Sequence, residues 1–182
     1  VKISSLQQRK LEEYQIQLEK ALTSERADFC GFIYSGLIWV KKDNSWNWHV
    51  LEYNVRLGDP EAQVTLAHLS SDFLKILQSA LNQELIKVKP EYNEGYSACL
   101  TLATEGYPKN PKDGKAIYIP DSKDIKVYYA GLTKGTDGQI FSKGGRVLSL
   151  CLTSDKPFPQ LKEFAQKIKM EHKYFRQDIE IE

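Results

Sequence analysis

The stretch from Leu51 to Gln63 reads Leu-Glu-Tyr-Asn-Val-Arg-Leu-Gly-Asp-Pro-Glu-Ala-Gln, and it decides how the rest of the chain is interpreted. Glu52, Asn54 and Arg56 alternate where a strand is predicted to end, and alternation at period two places them on one face. A carboxylate beside an amide oxygen suits a hard cation such as Mg²⁺. A guanidinium one step further suits an anion held against that metal. The segment therefore predicts a site for phosphoryl transfer at a strand exit.

A second interpretation of this triplet stays open, because polar side chains at this spacing also cover the solvated face of many half-buried strands. The following Gly58-Asp59-Pro60-Glu61 predicts a turn that ends the strand. Asp59 is equally well interpreted as a turn residue that caps the helix predicted after Pro60.

The longer run Arg56-Leu57-Gly58-Asp59-Pro60-Glu61-Ala62-Gln63 resembles the motif of the phosphoribosylamine–glycine ligases, also called glycinamide ribonucleotide synthetases. These are ATP-grasp enzymes of purine biosynthesis. Other similar segments follow in the family's order: Gly31–Leu37, Ser71–Leu74, Ala103–Pro108, Tyr129–Gly131, Gly144–Leu148 and Phe175–Ile179. Tyr53 stands where Phe is common in the family, and its side chain is expected to point into the core.

The resemblance implies a ligase that joins glycine to 5-phosphoribosylamine while ATP is converted to ADP and phosphate. Glu52 and Asn54 match the family's metal-binding pair, which would hold Mg²⁺ or Mn²⁺ against the nucleotide. Arg56 would clamp the transferring phosphoryl group or the glycine carboxylate. Gly58 would let the backbone approach a small substrate, and Asp59 would bind an amino group.

The resemblance also implies an α+β fold in two parts. Residues 1–86 would form the second half of an ATP-grasp domain, a β-hairpin with flanking helices. Residues 87–182 would form a small, mostly β C-terminal domain with a closing helix, akin to the rudiment single hybrid domain that caps biotin carboxylases. Because the family's enzymes are more than twice as long, we expect a C-terminal portion that is inactive alone and lacks the N-terminal part that grips ATP.

Local patterns predict the elements of this fold. Apolar residues at helical spacing predict an amphipathic helix over residues 4–25, and two strands, 29–40 and 46–54, are expected to form a hairpin. Trp39, Trp46 and Trp48 are interpreted as cross-strand packing rather than a stacking platform. The remaining predictions are helices at 61–69 and 72–83, the second capped by Ser71, a linker at 84–94, strands at 96–104, 115–119, 126–131 and 145–153, and a helix at 159–174.

Composition is that of a globular protein, with 41% hydrophobic and 27% charged residues. A net charge of +1 gives no electrostatic reason to expect nucleic acid or an anionic membrane as a partner. Three dispersed cysteines, Cys30, Cys99 and Cys151, are expected to be buried free thiols, which fits a cytoplasmic location. The three histidines show no metal-ligand spacing.

Two other functions are weighed against the ligase. The chain would be a non-catalytic assembly half of a synthetase split between two chains, or it would belong to another ATP-grasp carboxylate–amine ligase or carboxylase. Leu57-Gly58-Asp59-Pro60 argues against a carboxylase, in which the arginine is typically followed by a Gln-Val-Glu-His type of sequence. An isolated portion of an enzyme is also expected to self-associate through the apolar face that its missing half would cover.

Overall fold

The computed structural model describes residues 3–25 and 29–179. The helices in this part of the chain are α1 Ser5–Ser24, α2 Glu61–His68, α3 Phe73–Leu81 and α4 Pro157–Lys167, with a 3-10 turn at Leu85–Lys87. The strands are β1 Tyr34–Lys42, β2 Ser45–Asn54, β3 Tyr96–Thr104, β4 Ala116–Tyr118, β5 Lys126–Tyr129, β6 Leu132–Lys134, β7 Ile140–Ser142, β8 Arg146–Ser154, β9 Lys169–Met170 and β10 Lys173–Tyr174. Helices combined with antiparallel sheets confirm the predicted α+β class.

The described residues group into two compact units. The first contains Gly58 and the residues before it, together with Leu77–Lys87. The second contains Asp59–Ile76 and the residues from Val88 onward. The domain boundary expected between residues 86 and 87 stays a prediction, and residues 180–182 of the predicted second domain lie outside the described residues.

In the first unit, β1 and β2 form the predicted antiparallel hairpin. Its turn residues Asp43 and Asn44 have positive φ angles of 48° and 60°, the conformation of a type I′ turn whose twist matches paired strands. Trp39 and Trp48 are directly opposite in register, with ring centroids 4.9 Å apart. Trp39 also stacks on Trp46 at 6.1 Å, so the prediction of cross-strand packing is confirmed.

Helix α1 begins at a capping box, in which the Ser4 side chain accepts from the backbone N–H of Gln7 and the Gln7 side chain accepts from that of Ser4. The indole N–H of Trp48 donates to the Gln7 carbonyl at 2.9 Å and fixes the helix to the hairpin. The expectation that Tyr53 points into the core is wrong. Its side chain is 51% exposed and its hydroxyl lies 2.9 Å from that of Tyr14, because a two-stranded hairpin has no interior deep enough to bury it.

The second unit contains two four-stranded antiparallel sheets, ordered β10-β3-β8-β5 and β6-β7-β4-β9. Its core consists of apolar side chains from β3, β8 and α4, of which the largest fully buried ones are Leu100, Leu102, Leu148, Leu150, Leu161 and Ile168. The predicted closing helix is present but ends at Lys167. Ile168 adopts an extended conformation, and the next residues pair with β4 and β3 as β9 and β10.

Other local predictions need correction. Asp72 rather than Ser71 caps α3, because its Oδ1 accepts from the backbone N–H groups of Leu74 and Lys75. The Ser71 hydroxyl instead accepts from the N–H of Glu91 at 2.7 Å.

The cysteines differ from the prediction in their burial. All three are free thiols, but Cys30 is exposed, Cys99 is half-buried and only Cys151 is buried. Cys30 precedes the first residue of β1 by several positions, so it is not part of the apolar strand that was expected to bury it. Among the described helices, none has both the length and the apolar character that a membrane crossing requires.

Candidate functional site

Glu52 lies beside a bulge in the hairpin. Gly36 pairs with Glu52 whereas Leu37 pairs with Val50, so Leu51 is an extra residue on β2. A bulge bends its strand and changes the direction of neighbouring side chains. A Cβ on Gly36 would lie 3.1 Å from Cγ of Glu52, so the glycine makes room for that side chain. The local sequence therefore fixes where the Glu52 carboxylate lies.

Glu52 and Asn54 are brought together as predicted. The Asn54 Nδ2 donates to Oε1 of Glu52 at 3.0 Å, which orients the amide against the carboxylate. Asn54 Oδ1 and the second carboxylate oxygen of Glu52 are then the atoms suited to a hard cation. The described residues contain no group of three or more His, Cys, Asp and Glu side chains that would hold a metal by itself. The pair fits a cation that completes its shell with substrate phosphates and water, as Mg²⁺ does.

Arg56 lies beyond the end of β2, which stops at Asn54. Its Nη1 donates to the carbonyl of Leu57 at 2.9 Å, so the guanidinium folds back along its own backbone. The predicted shared face therefore holds for Glu52 and Asn54, while the strand pattern does not continue to Arg56. Gly58, the next predicted site residue, is buried.

Asp59 in the second unit is held by two side chains that are distant from each other in sequence. Gln63 Nε2 donates to Oδ1 of Asp59 at 2.8 Å. Arg146 Nη1 lies 3.1 Å from Oδ2 and also donates to the main-chain carbonyl of Asp59 at 2.9 Å. Helix α2 begins after Pro60 without a side-chain cap, so the helix-capping interpretation of Asp59 is not supported.

The start of β8 is shaped so that Arg146 reaches this loop. Gly144 has a φ of +98°, and a Cβ on Gly145 would overlap the ring of Tyr107. Leu102 pairs with Leu148 but Ala103 pairs with Arg146, so the buried Val147 is an extra residue at a second bulge. The glycines and the bulge together turn the Arg146 side chain away from the core beneath it.

Sequence reasoning assigned no role to Arg146 or Gln63. Each was quoted within a motif resemblance, but Arg146 is 87 residues from Asp59 and no local pattern predicts their contact. The Gly144-Gly145 pair was the sequence feature that could have drawn attention to Arg146. Two consecutive glycines indicate a backbone conformation or a close contact that other residues do not allow, and an ordinary strand start requires neither.

Cys151 packs behind this loop and donates a weak hydrogen bond from its Sγ to the Gln63 carbonyl at 3.5 Å. It lies directly opposite Cys99 in the β3–β8 register. The hydrogen bond with Cys151, together with burial, raises the pKa of the Cys99 thiol, which stays protonated at neutral pH. The same hydrogen bond lowers the pKa of Cys151, so only Cys99 is held in the thiol form by this contact.

The chain is similar in sequence to known enzymes. The family model for the phosphoribosylglycinamide synthetase C domain matches residues 97–181. The phosphoribosylamine–glycine ligase of Clostridium acetobutylicum is 37% identical over 161 residues, covering 87% of this chain and 38% of that protein. The corresponding ligase of Neisseria meningitidis serogroup A is 32% identical over 178 residues, covering 94% of this chain and 41% of that protein. The chain thus spans about two fifths of the length of these relatives.

Solved structures agree with these relatives. The crystal structure of phosphoribosylamine–glycine ligase from Thermotoga maritima matches 99% of this chain and 44% of its own, with a TM-score of 0.80 and 31% identity. The biotin carboxylase domain of Hydrogenobacter thermophilus 2-oxoglutarate carboxylase matches 76% of this chain and 32% of its own. Its TM-score of 0.52 at 16% identity shows a related fold and nothing about activity.

Proposed function

Because this chain belongs to the phosphoribosylamine–glycine ligase family and matches its C-terminal portion, we propose that it supplies metal-holding and substrate-binding residues to an ATP-dependent ligase of purine biosynthesis. The overall reaction joins glycine to 5-phosphoribosylamine and converts ATP to ADP and phosphate. The observation that carries the proposal is the Glu52–Asn54 pair, hydrogen-bonded at 3.0 Å beside a bulge that makes room for the carboxylate.

The reaction proceeds in two transfers. An oxygen of the glycine carboxylate attacks the γ-phosphorus of ATP and ADP leaves, which gives glycyl phosphate. The amine of 5-phosphoribosylamine then attacks the glycyl carbonyl carbon, the C–O bond to phosphate breaks, and the amine loses a proton. The first transfer brings two anions together, so charge neutralisation is its main physical requirement.

Glu52 and Asn54 would meet that requirement by holding Mg²⁺, or Mn²⁺ in its place, through one carboxylate oxygen and one amide oxygen. The cation supplies charge neutralisation on the phosphates when it is bound. Arg56 would leave its contact with the Leu57 carbonyl and place its guanidinium on the phosphoryl group or the glycine carboxylate. Gly58 is buried, so its lack of a side chain would let substrate approach the backbone closely only when the loop that contains it opens.

Asp59 would bind the amino group of a substrate. Its carboxylate is 48% exposed and already has an anchor on each oxygen, from Gln63 on Oδ1 and from Arg146 on Oδ2. Each oxygen of an ionised carboxylate has two lone pairs, so a second acceptor site remains on each for an incoming N–H group. The arrangement suits the amino group of glycine better than a phosphate, which the carboxylate would repel.

The nucleotide would be held chiefly by the part of the enzyme that this chain does not cover, which is about three fifths of the length of its relatives. We therefore expect the isolated chain to bind ATP weakly and to hydrolyse none measurably. Calorimetry on the chain alone tests this, and micromolar ATP affinity would contradict it.

A chimera tests the proposed function directly. This chain replaces the matching segment of the Clostridium acetobutylicum ligase, and formation of glycinamide ribonucleotide is measured with glycine, 5-phosphoribosylamine and ATP. We expect activity in the wild-type chimera and a fall in kcat of about two to four decades in the Glu52→Gln chimera. A folded wild-type chimera that binds ATP but makes no product would contradict the proposal.

The same segments also test the alternative of a synthetase divided between two chains. The N-terminal segment of the Clostridium acetobutylicum ligase is expressed separately and mixed with this chain. Recovery of activity on mixing would favour a natural division, whereas activity confined to the covalently joined chimera would favour a single chain.

A further inference from the structure

We propose that Arg146 is a positioning residue for Asp59, which fixes the carboxylate in the orientation that receives the amino group of glycine. This inference rests on the proposed function. It concerns a residue in β8, which contains none of the site residues predicted from the sequence, and it gives that residue a part in substrate specificity.

The contact differs from an ordinary surface ion pair. Arg146 Nη1 contacts both the carboxylate and the main-chain carbonyl of Asp59, so it fixes the loop backbone as well as the charge. The partners are 87 residues apart, and the glycines and the bulge at the start of β8 direct the arginine to that loop. An arginine that fixes backbone and side chain together restricts the directions in which the free lone pairs of Asp59 point.

Gln63 supplies an independent sign that the carboxylate orientation is under constraint. Its Nε2 donates to Asp59, while its Oε1 is buried without a hydrogen-bond partner among the described residues. A buried acceptor without a partner destabilises the fold, so its presence calls for a reason. Rotating the Gln63 amide by 180° would place Oε1 against the Asp59 carboxylate, and the two oxygens would repel each other. The buried, unpaired Oε1 is therefore explained by the hydrogen bond that Nε2 donates to Asp59.

Arg176 offers a matched comparison within the same unit. Its guanidinium makes two contacts with the carboxylate of Asp178, at 2.6 and 2.7 Å, and both side chains are more exposed than those of the Arg146 pair. The two residues are two positions apart in sequence, and their contact fixes no loop that carries a predicted site residue. Removing Arg176 therefore deletes an arginine–aspartate pair without touching the site.

The experiment uses the active chimera and measures KM for glycine, KM for ATP and kcat. Arg146→Gln should raise KM for glycine about 10- to 100-fold, the loss expected when a charge-assisted contact no longer orients a binding group. The kcat should stay within about threefold and KM for ATP should not change, because the defect is in substrate orientation. Arg176→Gln should leave all three constants unchanged.

The conservative variant separates positioning from simple charge. Arg146→Lys keeps the positive charge but replaces the planar guanidinium with a single ammonium nitrogen, so it should recover only part of the glycine affinity. In a double-mutant cycle, adding Arg146→Gln to Asp59→Asn should cost little more than Asp59→Asn alone. Additive losses would show that Arg146 acts without Asp59 and would overturn the inference.

The remaining outcomes are equally decisive. An unchanged KM for glycine in Arg146→Gln, in a wild-type chimera that is active, overturns this inference and leaves the proposed function intact. A parallel fall in kcat and thermal stability shows a merely structural role and also overturns it. If Arg146→Gln does not fold, full glycine affinity in Arg146→Lys overturns it. A folded but inactive wild-type chimera overturns the proposed function and this inference together.

Discussion

The Glu52–Asn54 pair and the Asp59–Arg146 pair are supported by different kinds of structure. The first lies on a two-stranded hairpin that contains one buried residue, Gly36, and α1 beside it buries none. The second lies in the unit that contains the whole described hydrophobic core, with Arg146 at one end of a strand whose apolar side chains are buried. The hairpin presents the proposed metal ligands with few buried side chains beneath them, whereas in the second unit the loop proposed to bind substrate is anchored on a close-packed core.

This contrast indicates where each unit obtains its stability. In the second unit, burial of apolar side chains supplies the main favourable free energy. In the first unit large apolar residues remain exposed, among them Leu51, Val55, Leu81 and Ile86 at 68%, 78%, 74% and 96%. The hairpin therefore relies on its type I′ turn, its tryptophan packing and the capped α1.

The largest expected effect concerns catalysis. Glu52→Gln in the active chimera keeps size and hydrogen-bonding capacity but removes one negative charge from the proposed metal site. We expect kcat to fall by about two to four decades, roughly 3–5 kcal/mol of transition-state stabilisation, with a modest loss of ATP affinity. Raised Mg²⁺ should recover part of the activity, whereas Arg56→Ala should not respond to the metal. Near-normal turnover at ordinary Mg²⁺ would contradict the metal assignment.

The next effect tests whether the two units unfold separately. Leu150 is fully buried in β8, and Leu150→Ala should lower the free energy of unfolding of the second unit by about 2–5 kcal/mol. The matched change Val50→Ala, at a 41% exposed hairpin position, should cost far less. Urea unfolding is followed by two probes, far-ultraviolet circular dichroism and tryptophan fluorescence.

Fluorescence reports only the first unit, because the chain's three tryptophans all lie in the hairpin. Leu150→Ala should therefore shift the circular dichroism transition and leave the fluorescence midpoint nearly unchanged. An equal shift in both probes would show one cooperative unit and would remove the contrast between the two regions.

A smaller effect concerns association. The exposed apolar residues of the first unit predict that the isolated chain forms dimers or larger species at high concentration. Sedimentation velocity over a concentration series measures this. Replacing the most exposed apolar side chain, Ile86→Asp, should weaken association, while Lys87→Gln next to it changes the net charge by the same amount and serves as a charge control. A strictly monomeric chain at high concentration would contradict the prediction.

Local structure was well predicted where the sequence itself contains the cause. Polar turn residues between two aromatic-rich runs predicted the hairpin, and its Asp43–Asn44 turn has the positive φ angles that such residues tolerate. The meeting of Glu52 and Asn54 followed from period-two alternation. Arg56 was placed less well because alternation stops where the strand stops.

The remaining differences arise from interactions between distant residues. The helix expected to continue to residue 174 ends early because residues 169–170 pair with β4 and residues 173–174 pair with β3, which periodicity does not reveal. Ser71 was expected to cap α3 but bonds to Glu91 instead, leaving that role to Asp72. Arg146 is 87 residues from Asp59 in sequence. Their contact depends on the bulge and the two glycines at the start of β8, which no pattern near Asp59 predicts.

The most direct test of the metal assignment is a crystal structure of the active chimera with Mn²⁺ and a non-hydrolysable ATP analogue, recorded at a wavelength where manganese scatters anomalously. We expect an anomalous peak about 2.0–2.3 Å from a carboxylate oxygen of Glu52 and from Oδ1 of Asn54, in contact with the analogue's phosphates. The peak should weaken or disappear in the Glu52→Gln chimera. A fully bound analogue whose manganese contacts neither Glu52 nor Asn54 would contradict the central claim.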